Sequence, residues 1–452
     1  MQVTQTDSRD ISVTSDRVVI VANDIEFAQD VSSILRESNK DVRICKFDGR
    51  RILQAPRQSP DAVLLLFKRP VNNASKIISL LKTRYANRDP VFIGAFHENG
   101  GCSDGDIDSV ICLPSHPKLI SKRVNSMLRL QKMQREIFLR METLKNEFGI
   151  EHTLQALDQH ASFKVLFIGE ASPEFMVIIN ALEDSNTEVV AAFTSFSAFD
   201  YLHETDFDAV IMNVKNGAEP ALTIAETMRK NARLYHTPVI LLTPTSYSQQ
   251  GDAYNKGVSD VIPITYSGQE ISRRVLELAN YYRTHRQLKE QFGALGGERC
   301  SDKTSNVYNR AFFEAHLRRI SEAHESEGRP TTMAVLTVTC ETNAPKDNMK
   351  LSMAYNRTGR IIKNIVRMED VVARLSENCY AVAFPGQSLT SVRPAFERIR
   401  QMISNTVFDS GEVSKRTFKL ELDIQELELK TPSYSLDQLV NTNQLSSNRL
   451  AV

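Results

Sequence analysis

From Arg17 onward the chain alternates short, continuously apolar runs with segments whose apolar residues recur every three or four positions. VVIVA at 18–22 is followed by a polar corner at Asn23-Asp24 and a stripe through Phe27, Val31, Ile34 and Leu35. Next come DVRICKF, a stripe around Leu53, DAVLLLF, a stripe across Ile77 to Leu81, PVFIGAF and DSVICLP. The runs predict strands and the stripes predict helices, and their alternation predicts a parallel, doubly wound α/β sheet. The pattern then returns: KVLFIGEA, EVVAAFT, FDAVIMNV, PVILLT and SDVIPIT recur at similar spacing between about 163 and 285, an internal duplication of one α/β unit.

Two long amphipathic patterns follow the two units, one from Ile120 to Leu144 and one from Ile271 to Leu295. Each predicts a connector helix, able either to pair with a partner helix or to pack within its own chain. Gly296-Gly297-Glu298 reads as a helix stop plus linker. Farther on, Val371-Val372-Ala373 and Tyr380 to Phe384 flank the polar corner Ser376-Glu377-Asn378, which predicts a β-hairpin. A tight tip favours glycine, and this one carries none.

At 452 residues the chain has room for roughly three domains. Lys+Arg and Asp+Glu are both 55, so the net charge is zero and no DNA or other bulk nucleic acid is implied as a partner. The apolar runs are far shorter than the ~20 residues of a membrane span. The first fifteen residues are polar and predict a loose tail and not a signal peptide. Six cysteines without a C-x-x-C pair argue against a zinc site and a disulfide framework, so a cytoplasmic protein is expected.

The two α/β units resemble response-regulator receiver domains, whose chemistry needs an acidic pair for Mg²⁺, a phosphoryl-accepting aspartate after the third strand, a hydroxyl and a lysine. In the first unit these positions fall on Asn23-Asp24, Leu66 and, for the lysine, Leu113. In the second they fall on Gly169-Glu170, Asn213, Thr243 and Ile264. Neither leucine nor asparagine can form an acyl phosphate, so no phosphorylation site is expected. Asp24 and Glu170 also suit ordinary solvated loop acids.

The last third resembles the diguanylate cyclase (GGDEF) domain. Asp302, Asn309 and Arg310 match its opening motif, while Thr304, Ser305 and Asn306 depart from it. Placing Arg374-Leu375 on the arginine and aromatic that precede the signature puts Ser376, Glu377, Asn378, Cys379 and Tyr380 on G-G-D-E-F. Both glycines and both acids are gone. The strand TTMAVLTVTCETN has no aspartate, only Glu341 near its end, and the guanine-reading aspartate falls on Ser352. Since the family's chemistry needs metal-holding carboxylates, catalytic residues, metal ligands and cofactors are expected to be none.

The same register preserves a different feature. Arg367 and Asp370 fall on the R-x-x-D of the family's inhibitory site for cyclic di-GMP, and Arg398 falls on that site's second arginine. An arginine fork can pair with guanine O6 and N7 or with phosphate, and a carboxylate can accept from guanine N1–H and N2–H. The same spacing also suits an i,i+3 surface pair at a helix end.

The resemblance covers nearly the whole chain and is to PleD/PopA-type response regulators, closest to the PopA type. It implies a polar tail at 1–15, degenerate receivers with helical connectors at 16–150 and 160–295, and a degenerate GGDEF domain at 298–452, α/β throughout. It implies a non-catalytic cyclic di-GMP effector that recruits protein partners, such as a protease adaptor serving a ClpXP-type protease in the cell cycle, at a cell pole. A homodimer through the receivers is a further expected partner. The alternatives are a ligand-independent dimerising scaffold and a weak diguanylate cyclase. The end of the chain, from 425 onward, lacks the family's last helix.

Overall fold

A computed structural model describes residues 16–48, 59–69, 74–86, 89–97, 107–154, 162–214, 217–340, 347–410 and 417–429, with Ile52, Pro56, Val71 and Pro345 between them. The expected tail at 1–15, the helix around Leu53 and the chain after 429 lie outside the described residues. The molecule divides into two compact units. Among the described residues, one comprises 16–131 and 162–288, and the other comprises 132–154 and 289–429.

The first unit contains both predicted α/β repeats. The first repeat runs β1 (Asp16–Ala22), α1 (Ile25–Glu37), β2 (Lys40–Lys46), β3 (Ala62–Phe67), α2 (Ala74–Arg84), β4 (Val91–His97), β5 (Ser109–Leu113) and α3 (Pro117–Phe148). The second runs β6 (Phe163–Ile168), α4 (Pro173–Glu183), β7 (Thr187–Ala192), α5 (Ser195–Glu204), β8 (Ala209–Asn213), α6 (Glu219–Lys230), β9 (Val239–Thr243), α7 (Gln250–Asn255), β10 (Asp260–Pro263) and α8 (Gly268–Ala294). The sheets are ordered β2-β1-β3-β4-β5 and β7-β6-β8-β9-β10, all parallel. Numbered within each repeat, both have the flavodoxin-like order 2-1-3-4-5.

The apolar runs are strands because both faces are covered. All six residues of β3 are buried, as are all five of β9. One face of each sheet joins a single continuous core, to which Leu64, Ile120 and Leu128 contribute from the first repeat and Val210, Met228 and Tyr254 from the second. α1 and α4 start at side-chain caps: Asp24 accepts from the backbone N–H of Phe27, and Ser172 from that of Phe175.

The other unit is built on β11 (Tyr308–Asn309), α9 (Arg310–Glu325), β12 (Thr331–Thr339), α10 (Asn348–Ile365), β13 (Val371–Ser376), β14 (Cys379–Phe384), α11 (Leu389–Asn405), β15 (Val407–Asp409), β16 (Thr417–Lys419) and β17 (Glu421–Leu429). Its main sheet is ordered β11-β13-β14-β12-β17 and is antiparallel except at β11-β13. The expected hairpin is present as β13-β14, with Glu377-Asn378 at its tip and a register irregularity between Arg374 and Ser376. α10 and α11 pack on one face through Tyr355, Ile362, Phe396 and Ile399. At Gly359 the approach is close: a Cβ there would lie 2.7 Å from Tyr380 Cε1 and 2.8 Å from Ser305 Cβ. The α8 helix ends at Ala294, and Gly296-Gly297 follows as the expected stop.

Candidate functional site

α10 stops at Ile365, and the next five residues turn the chain into β13. Arg367 and Asp370 make that turn together. The Asp370 backbone N–H donates to Arg367 O at 3.1 Å, and the Arg367 backbone N–H donates to Asp370 Oδ2 at 2.8 Å. The pair therefore lies beyond the helix, and its contact is carboxylate to backbone and not the surface ion pair that the spacing also suits. Gln387 Nε2, just before α11, donates to Asp370 Oδ1 at 3.1 Å. The Asp370 side chain is buried, whereas that of Arg367 is exposed. Burial, with the neighbouring Glu369 adding to it, pushes the Asp370 carboxyl up to about 7.

Arg398 is exposed on α11, whose Val392, Phe396, Ile399 and Ile403 face inward. Among the described residues no hydrogen bond or ion pair joins it to Arg367 or Asp370. The structure brings together two of the three expected residues and leaves the third on the neighbouring helix.

A residue that the sequence does not mark grips the turn from behind. Arg140, in the part of α3 that belongs to this unit, donates from Nη2 to Met368 O at 3.1 Å and to Asp370 O at 3.0 Å. Its Nε donates to Glu136 Oε1 at 2.7 Å, and its guanidinium lies 4.7 Å from the centre of the Phe292 ring. Glu136 also meets His316 Nε2 at 2.9 Å, while His316 Nδ1 lies 2.9 Å from Thr143 Oγ1. Burial holds the His316 imidazole below its ordinary range. A neutral ring that donates Nε2–H to Glu136 leaves Nδ1 as an acceptor facing Thr143 Oγ1, whose hydroxyl also has Leu139 O at 3.0 Å. The only hint in the sequence is the i,i+4 spacing of Glu136 and Arg140, and the connector is full of such charges.

The hairpin tip is closed by its own arginine. Arg374 Nε donates to Ser376 O and Glu377 O at 3.1 and 3.2 Å, and Nη2 donates to Glu377 O at 2.6 Å. Its Nη1 donates to Thr304 Oγ1 at 2.6 Å and to Asn356 Oδ1 at 2.7 Å, and lies 3.4 Å from Asp302 Oδ1. Asp302 also accepts from Thr304 and Ser305, and these donors with Arg374 outweigh burial and hold it down to about 2. Asn378 Nδ2 donates to Val338 O, Cys379 is buried in β14, and Glu377 is exposed. Ser352 lies half-buried on α10. Of the positions expected to hold metal, Asn378 therefore offers an amide and Cys379 a buried thiol, and β12 carries no acid.

In the α/β repeats, Leu66 is fully buried at the end of its strand and Leu113 ends β5. Asp24 is drawn into helix capping and lies 3.3 Å from Lys68. Asn213 ends β8 with its Oδ1 buried and without a hydrogen-bond partner among the described residues. Thr243 is buried, and Ile264 follows β10. Among the described residues no helix is long and apolar enough to cross a membrane.

No family model matches the sequence, and no curated protein matches it. Solved structures do show likeness. The GGDEF domain of FimX from Pseudomonas aeruginosa is 17% identical over 31% of this chain and 87% of that one, with a TM-score of 0.28. The GGDEF domain of DgcB from Caulobacter crescentus, in complex with c-di-GMP, is 18% identical over 34% and 91%, with a TM-score of 0.28. Chemotaxis response regulator CheY4 of Vibrio cholerae is 16% identical over 26% and 98%, with a TM-score of 0.24.

Proposed function

We propose that this chain is a non-catalytic cyclic di-GMP effector that binds its ligand at the Arg367–Asp370 turn. The observation that carries this reading is the division of labour within the turn. Asp370 is preorganised by the Arg367 backbone and Arg140 clamps the carbonyls behind it, while the Arg367 side chain points to solvent. An exposed guanidinium beside a fixed carboxylate can address a guanine through its O6/N7 and N1–H/N2–H edges. For Asp370 to accept from the base, Gln387 has to release Oδ1. Gln387 leads directly into α11, so ligand binding would be felt by the helix that carries Arg398 and by the Arg140 end of α3. The output is recruitment of a protein partner, with polar localisation and regulated proteolysis as the form suggested by the resemblance of the whole chain.

Absence of cyclase activity is part of the same proposal and is supported by the Arg374 clamp and by Asn378 and Cys379 at the acidic positions. The test is calorimetric titration of the full chain with cyclic di-GMP, beside Arg367→Ala and an incubation with GTP and Mg²⁺. Micromolar binding that the substitution removes, with no cyclic di-GMP made, is expected. Absence of binding, or product formed at a useful rate, overturns the reading.

A second reading, a scaffold that needs no ligand, is favoured by one observation. Both Asp370 carboxylate oxygens already have donors in the protein, Arg367 N–H and Gln387 Nε2. In that case Arg367→Ala leaves function unchanged.

A further inference from the structure

The unit made of the two α/β repeats contains a cavity of about 810 Å³ between α3 and the second repeat, lined from α6, α7 and α8. Six Lys and Arg side chains line it against one carboxylate, Glu226. Arg123 is paired with Glu277 at 2.7 Å, and Lys256 lies 3.6 and 3.7 Å from Glu219 and Asp252, so the local excess is carried by Lys122, Arg129, Arg229 and Lys230.

Two of the cations form the wall. Lys122 Nζ donates to Tyr254 O at 2.6 Å and to Val258 O at 3.0 Å. Arg229 spends its guanidinium on Gly257 O at 2.8 Å, Tyr235 O at 2.6 Å and Thr237 O at 2.9 Å. These partners are neutral carbonyls, so each positive charge is hydrogen-bonded without being neutralised. Burial, followed by repulsion from Arg229 and Lys118, pushes the Lys122 ammonium down to about 8, as expected where cations crowd without a counter-charge. Two further cations face the same space. Arg129 Nε is buried with no hydrogen-bond partner among the described residues, and Lys230 is exposed on the last turn of α6. His236 and Tyr281 give the lining flat aromatic surfaces.

From this arrangement we infer that the cavity is a binding site for a small anion with adjacent phosphate groups, and specifically for a nucleoside polyphosphate. The volume lies within the range of nucleotide-sized ligand sites. Adjacent phosphates would supply the charge that the wall lacks, and the rings of His236 and Tyr281 suit the face of a base. The site is in a different unit from the Arg367–Asp370 turn and does not rest on the cyclic di-GMP reading.

The test uses the full chain carrying Arg367→Ala, so that the proposed cyclic di-GMP turn makes no contribution. Calorimetry at constant ionic strength, without Mg²⁺, measures inorganic pyrophosphate in one arm and GTP in the other. Each is repeated with Arg129→Gln and Lys230→Gln, whose melting temperatures are checked against the parent. Saturable binding of one equivalent, weakened tenfold or more by the two substitutions combined, is the expected result. GTP binding more tightly than pyrophosphate, with His236→Ala erasing the difference, identifies a nucleotide. Equal affinities overturn the nucleoside assignment and leave a polyphosphate anion site. No saturable binding in either arm, or binding indifferent to Arg129 and Lys230, overturns the proposal entirely.

Discussion

Arg140 donates to the backbone carbonyl of Asp370 at 3.0 Å, joining the connector helix to the turn that holds the expected ligand residues. The same guanidinium neutralises Glu136, a carboxylate only 3% exposed. Arg140→Met would leave that carboxylate without its cation, with only His316 Nε2 beside it, and release the carbonyls of Met368 and Asp370. A loss of about 3–5 kcal/mol is expected, read as a lower urea midpoint. Pairing it with Glu136→Leu should recover a substantial part, since a buried pair exchanged for apolar side chains is often close to neutral.

Asp370 gives the unit a pH signature. Its carboxyl is pushed up to about 7 from an ordinary value of 3.8, mainly by burial. Between about pH 4 and pH 7 the folded chain therefore keeps a proton that the unfolded chain has released. Stability falls as pH rises through that window, on the order of 4 kcal/mol in all. Asp370→Asn, which keeps an acceptor for the Arg367 N–H, should flatten the fall, as denaturant titrations at pH 5 and pH 7.5 would report. A slope unchanged by the substitution would assign the effect to another group.

Gly359 permits the contact between α10 and the hairpin. Gly359→Ala would gain helix propensity of up to about 1 kcal/mol, yet the added methyl meets the Tyr380 ring and Ser305. Tyr380 is fully buried, with its hydroxyl donating to Tyr355 O at 2.6 Å, so it cannot swing away. A net loss of roughly 1–2 kcal/mol is expected, seen as a lower melting temperature. A neutral or stabilising result would mean that α10 shifts freely.

Arg374 holds the hairpin tip to Thr304 and Asn356. Arg374→Ala should cost roughly 1–2 kcal/mol and speed amide exchange at Glu377 and Asn378 while β12 stays protected. On the proposed reading it should not produce cyclase activity, because Asn378 and Cys379 are unchanged. Exchange rates unchanged at the tip would show that the strands alone fix it.

Much of this architecture is legible in residue order. Continuous runs such as AVLLLF and VILLT announce strands covered on both faces, and the second repeat is visible as a return of the same spacing. The hairpin shows through its alternation around Ser376-Glu377-Asn378. Arg367 and Asp370 are neighbours in sequence, so a local pattern captures their shared turn. What the sequence conceals depends on folding over long separations. Arg140 and Asp370 are 230 residues apart, and nothing distinguishes Arg140 from the other cations of its helix. Arg374 reads as half of a motif, whereas in the fold it is a clamp across 70 residues to Thr304. The second donor to the Asp370 carboxyl, Gln387, likewise lies 17 residues away, and no pattern marks it.

The two α/β repeats share one continuous core across one face of each sheet. Excising either repeat would strip the partner surface from residues such as Leu128 and Met228 and leave them wetted. The tandem should therefore melt in a single cooperative transition, and a protease site engineered into the link between α3 and β6 should yield two fragments that stay together. The two repeats thus act as one folding unit, and neither can be removed, exchanged or reordered without unwrapping the other.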